Sequence, residues 1–67
     1  MKIILNNNEE VFDEESLSVN QLILKKNFTF KMLVTKINDK VIKRDERDSA
    51  LVKDGDQVMI LHLISGG

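Results

Sequence analysis

The sequence predicts an α+β fold, with one mixed sheet of four to five strands and a single main helix packed across one face. Two observations carry this expectation. A single well-marked helix start, at Ser18, lies between two pairs of short β-branched runs. The last run, Gln57 to Ile64, is apolar on both of its faces, as only a central strand needs to be. At 67 residues the chain makes one domain with a marginal core, and it has no cysteine with which to staple it.

Each element has a local cause. Lys2-Ile3-Ile4-Leu5-Asn6 reads as the first strand, and Asn6-Asn7-Asn8-Glu9 as a turn, because Asn tolerates left-handed backbone angles. Glu10-Val11-Phe12-Asp13 returns as the second arm of a hairpin. Ser18 and Gln21 have capping-box spacing, and Leu17 and Leu22 have the spacing of the accompanying hydrophobic staple. Val19, Leu22 and Ile23 share a helical face; Lys25 and Lys26 suit the negative end of the dipole, and Asn27 is a stop. The expected helix is about nine or ten residues, too short to stand without packing on a sheet. Leu33 to Ile37 is the next strand, Asn38-Asp39-Lys40 a turn, and Val41-Ile42-Lys43 a brief strand. Arg44 to Ser49 reads as a loop or a single helical turn, anchored by Ala50-Leu51-Val52. Lys53-Asp54-Gly55-Asp56 is a turn signal before the final strand.

Val58 and Ile60 are expected on the helix side with Ile3 and Leu5. That leaves Met59, Leu61 and Leu63 facing outward with Ile4 beside them, a candidate partner-binding surface. The chain then ends Ile64-Ser65-Gly66-Gly67. Residues 1–64 are expected to form the domain and residues 65–67 a flexible tail. Glycine has no Cβ, so such a stalk can thread a narrow channel and present its carboxylate to another protein's active site.

Composition narrows the function classes. Ten Lys+Arg against eleven Asp+Glu argue against a nucleic-acid partner, and three Phe without Tyr or Trp leave little material for base stacking. The longest apolar stretch, Val58 to Ile64, is too short to span a bilayer, so no membrane partner is expected. No apolar signal segment follows Met1, and the lack of cysteine points to a reducing, cytoplasmic setting.

The remaining candidates carry little chemistry. His62 is the only histidine and has no cysteine to join it, so no metal site is expected; it reads as a strand side chain or a docking contact. Met32 and Met59 read as packing or interface residues. Glu14 and Glu15 are adjacent and not a catalytic pair, and Ser49 and Ser65 have no base partner nearby in sequence. Arg44 reads as a docking or surface charge, and Arg47 as surface.

The strand order and terminal glycines resemble the β-grasp sulfur carriers, relatives of ubiquitin, and most closely the ThiS family of the thiamine pathway. The resemblance covers the whole chain. Its most telling stretches are Ile37-Asn38-Asp39-Lys40-Val41-Ile42-Lys43-Arg44 and Lys53-Asp54-Gly55-Asp56-Gln57-Val58. Asn38, Val41, Arg44, Asp54, Gly55, Asp56, Gly66 and Gly67 fall on the family's positions without a gap. Lys43 stands where members often have Pro, and Arg47 where an aromatic or apolar residue is common.

The resemblance implies a β-grasp carrier with no catalytic residue of its own. Gly67 would be adenylated by an E1-like adenylyltransferase and converted to a thiocarboxylate, with Ser65 and Gly66 serving to thread the tail. ATP and Mg would be used by that activating partner, with no cofactor bound to the carrier. Sulfur would come from a donor such as a cysteine desulfurase or persulfide and pass to a thiazole synthase. Alternatives on the same fold are the small subunit of molybdopterin synthase or another sulfur-pathway carrier. A protein modifier that forms isopeptide bonds through Gly67 is an alternative of another class, and a stand-alone, RNA-binding domain a third.

Overall fold

The first hairpin turns on two asparagines. In the computed structural model, which describes residues 1–29 and 32–62, β1 (Lys2–Leu5) pairs antiparallel with β2 (Asn8–Val11) in the register Leu5↔Asn8. Only Asn6 and Asn7 remain for the loop, at φ 51° and 67°. Positive φ at both central residues defines the type I′ turn, whose twist matches that of the flanking strands. The second arm therefore begins at Asn8 and ends at Val11, two residues earlier than the expected Glu10–Asp13. The Met1 ammonium then donates to the Phe12 carbonyl at 2.6 Å and the Glu14 carbonyl at 2.9 Å.

The segment after the hairpin forms a strand that local pattern does not signal. β3 (Ser16–Ser18) runs straight into α1 (Val19–Lys25) and pairs antiparallel with β6 (Leu51–Lys53) as a separate two-stranded sheet. Three residues are too few to show alternation, and the partner lies far along the chain. The anchor at Ala50-Leu51-Val52 is thus part of a strand pair, with Val52 fully buried.

The helix starts as its spacing requires. Ser18 Oγ accepts from the Gln21 N–H at 3.1 Å, and Gln21 Oε1 accepts from the Ser18 N–H at 2.9 Å. Leu17 and Leu22, the staple residues, are both buried. The helix is seven residues long, shorter than expected, because Ser18 and Lys26 are its caps; Asn27, the expected stop, adopts φ 59° directly after Lys26. The Asn27 N–H donates to the Leu24 carbonyl and the Phe28 N–H to the Ile23 carbonyl, each at 3.0 Å. This is the Schellman pattern, with Asn in the left-handed position usually held by Gly. Phe28 folds back onto the core.

β4 (Leu33–Ile37) and β5 (Lys40–Ile42) form a second hairpin built like the first, with Asn38 and Asp39 at φ 50° and 68°. β5 accordingly starts at Lys40, one residue ahead of expectation. Arg44–Glu46 form a single 3-10 turn within the crossing. Gly55, at φ 88°, closes the turn into β7 (Gln57–His62). The final strand was expected to run to Ile64; residues beyond His62 lie outside those described.

The main sheet has the order β2-β1-β7-β4-β5. The last strand is therefore central, parallel to β1 and antiparallel to β4. Ile3, Leu5, Val58, Ile60 and Ile42 face the helix and pack with Val19, Leu22, Ile23, Leu17, Phe12 and Val52. Thr35 is the buried polar member of this layer, and its hydroxyl donates to the Ile42 carbonyl at 2.7 Å.

Candidate functional site

Among the described residues, one side of the main sheet has no helix on it. Alternation along β7 sends Val58 and Ile60 into the core and turns Met59 and Leu61 to the other side. Cross-strand register sets Lys36 beside Met59 and Val34 beside Leu61, and on the other flank Ile4 beside Gln57. Ile4, Met59 and Leu61 line one open cleft of about 280 Å³, rimmed by Asn7, Lys36, Asp39 and Gln57. Leu61 is 43% exposed, and Val41, two strands further out, 56%. The structure thus brings together three of the four residues expected on this face. Leu63, the fourth, lies outside the described residues.

The central strand beneath the cleft is held by side chains from its neighbours. Asn6 is the key one. β1 ends at Leu5, but the Asn6 N–H donates to the Val58 carbonyl at 2.9 Å. Its side chain then takes both backbone groups of Ile60, donating to the carbonyl at 3.1 Å and accepting from the N–H at 2.8 Å. The parallel pairing is extended by an amide side chain where the main chain has already turned away.

A second clamp sits at the start of β7. Asn38 Oδ1 accepts from the Gln57 N–H at 2.9 Å, and its Nδ2 donates to Asp56 Oδ1 at 3.0 Å. The other Asp56 oxygen accepts from the Lys53 N–H, while Asp54 Oδ1 accepts from the Lys2 N–H at 2.7 Å. The Gly55 N–H donates to the Lys2 carbonyl. The Asn38 and Asp54-Gly55-Asp56 motifs, distant in sequence, are thus one hydrogen-bonded unit joining the β4–β5 turn, the β6–β7 turn and the head of β1. Their role here is architectural.

Arg47 departs from its expected place on the surface. It is half-buried; its Nη2 donates to the Leu33 carbonyl at 2.6 Å and its Nε to the Thr35 hydroxyl at 3.2 Å. The guanidinium ties the crossing to β4, filling with hydrogen bonds a place that apolar packing could otherwise fill. Nothing in its charged local context signalled this. Arg44 is exposed.

The charges divide into paired and unpaired sets. Lys2 pairs with Glu9 at 3.4 Å, Lys26 with Glu10 at 3.0 Å, and Lys25 with Glu14. The hydrogen bond from Lys25 holds the Glu14 carboxyl below the ordinary carboxylate range. Lys36, half-buried on the open face, makes no ion pair among the described residues. The sequence pattern gave it no notice, because a lysine in a strand ordinarily reads as the solvent-facing member of an alternation.

The chemistry-bearing candidates stay apart. His62 is exposed at the end of β7 and pairs in register with Leu33; Met32 is exposed and Met59 half-buried. No group of three or more His, Asp or Glu among the described residues could hold a metal ion. Among the same residues no helix is long and apolar enough to cross a membrane. Ser65, Gly66 and Gly67, the expected threading and modified residues, lie outside the described residues.

A helix on one side of a five-stranded mixed sheet, with a central last strand, defines a β-grasp, ubiquitin-like protein. The model of the ThiS family matches residues 2–67, and the chain belongs to the ThiS family. Its fold is similar to the crystal structure of the thiamine biosynthesis protein ThiS from Geobacter metallireducens, with a TM-score of 0.89 and 30% identity over all of both chains. A solution structure of a thiamine biosynthesis protein from the same organism matches with a TM-score of 0.76 and 30% identity, covering 100% of this chain and 88% of that one. No curated protein matches the chain.

Proposed function

We propose that this protein is a sulfur carrier whose reactive atom is the carbonyl carbon of Gly67, serving formation of the thiazole ring of thiamine. Membership of the ThiS family carries the reading. The uncovered apolar cleft, lined by the same central strand that leads toward Ser65-Gly66-Gly67, supports it.

A carboxylate resists nucleophiles because its charge is shared over two oxygens. An E1-like adenylyltransferase, using ATP and Mg, joins the Gly67 carboxylate to AMP and releases pyrophosphate. The terminal sulfur of a persulfide, supplied through a cysteine desulfurase, attacks the carbonyl carbon and expels AMP, leaving an acyl disulfide. A second thiol cleaves the S–S bond, giving the thiocarboxylate on Gly67 and a disulfide. A thiazole synthase then takes the sulfur.

The carrier itself supplies shape and reach. Ile4, Met59 and Leu61 form the docking face. Ser65 and the two glycines span about 10 Å when extended, enough to leave the docked domain and enter a channel. The absence of Cβ at Gly66 and Gly67 keeps that channel narrow. All of this takes place in the cytoplasm.

The test is an intact mass after incubation with the activating enzyme, ATP and a sulfur source. A gain equal to one oxygen replaced by sulfur, located on Gly67, is expected. An unchanged mass, or a ladder of lysine conjugates in its place, refutes the carrier reading.

A further inference from the structure

Lys36 is the odd member of the open face. Its cross-strand neighbours there are Met59 and Val41, and it lines the same cleft as Ile4 and Leu61. Asp39 shares the rim but is exposed in the turn and makes no ion pair with it. By contrast, Lys2 at the head of β1 and Lys25 and Lys26 at the end of the helix are each paired with a glutamate.

Any protein that covers Ile4, Met59 and Leu61 must also cover Lys36. An ammonium taken from water into an apolar contact is costly unless a partner charge meets it. A purely apolar partner surface would strand it, and a basic one would repel it. We propose that the adenylating enzyme docked on this face places a carboxylate against Lys36, flanked by apolar side chains that fill the cleft. Lys36 is then a specificity-determining residue, selecting an acidic docking surface. The inference rests on the carrier reading given above.

Steady-state pyrophosphate release with the adenylating enzyme of the same organism tests it, using the full chain, Lys36→Met, Lys36→Glu and Leu61→Asp. Lys36→Glu is expected to raise KM by about tenfold or more and Lys36→Met by less, with kcat little changed. The salt dependence of KM should be steeper for the wild type than for Lys36→Met. Circular-dichroism melts that match the wild type exclude misfolding as the cause. Wild-type KM in both Lys36 variants, with KM raised in Leu61→Asp, overturns the acidic contact while leaving the docking face in place. Unchanged KM in all three variants overturns the docking face and this inference with it. No pyrophosphate release from the wild type overturns the carrier reading itself.

Discussion

Asn6 serves two structures at once. Its backbone adopts φ 51°, which the turn needs, and its amide carries the pairing of β1 onto Ile60. Alanine there loses both the tolerance of positive φ and two hydrogen bonds to the central strand. Asn6→Ala is expected to cost about 2 kcal/mol, and Asn6→Gly about 1 kcal/mol because it keeps the backbone free; urea titration separates the two. Arg47 shows how a residue can belong to the interior without looking like it. Removing its guanidinium leaves the half-buried Leu33 carbonyl without that donor. Arg47→Ala is expected to destabilise by about 1–2 kcal/mol in the same assay. Neither role is visible in the residue type: Asn6 reads as turn material and Arg47 as a surface charge, because their partners come from other elements.

At the scale of the element, local chemistry explains most boundaries. The capping box fixes where α1 begins, and Ser18→Ala should cost about 1 kcal/mol, read as a lower thermal midpoint. The two-residue turns Asn6-Asn7 and Asn38-Asp39 fix both hairpins, and allowing two residues too many in the first and one too many in the second slides the following strand. The ion pair between Glu14 and Lys25 fastens the end of the first hairpin to the last turn of the helix. The folded Glu14 carboxyl is held below its ordinary value of 4.5, so its contribution is complete above that pH and is lost as pH falls through the lowered folded value. Glu14→Gln should therefore shrink the fall in urea midpoint between neutral and acidic pH. An acid limb as steep as that of the wild type would refute the assignment.

The whole molecule places one open apolar face over its central strand, β7. Because β7 is central, its inward residues complete the core while its outward residues Met59 and Leu61 line the open cleft. In the proposed mechanism the domain binds and the tail reacts, so the two should separate experimentally. Gly67→Ala is expected to leave the melting temperature unchanged while reducing thiocarboxylate yield severalfold, since a Cβ enters the proposed channel. Full yield in that variant would refute threading. Asn38, Asp54, Gly55 and Asp56 belong to the frame, where they brace the start of the strand that presents the face.

By its own pattern the chain determined the helix start, the strand at Leu33–Ile37, and the split of Val58 and Ile60 from Met59 and Leu61. Each is a matter of periodicity or of a side chain bonding its own neighbours. Only the tertiary structure decided that Ser16–Ser18 pairs with Leu51–Lys53, that Asn6 prolongs a ladder, that Arg47 is held within the fold, and that Lys36 sits between Met59 and Val41 with no ion pair among the described residues. Those outcomes depend on which strands become adjacent. Adjacency is set by burying the whole core at once, so no local stretch of residues encodes it.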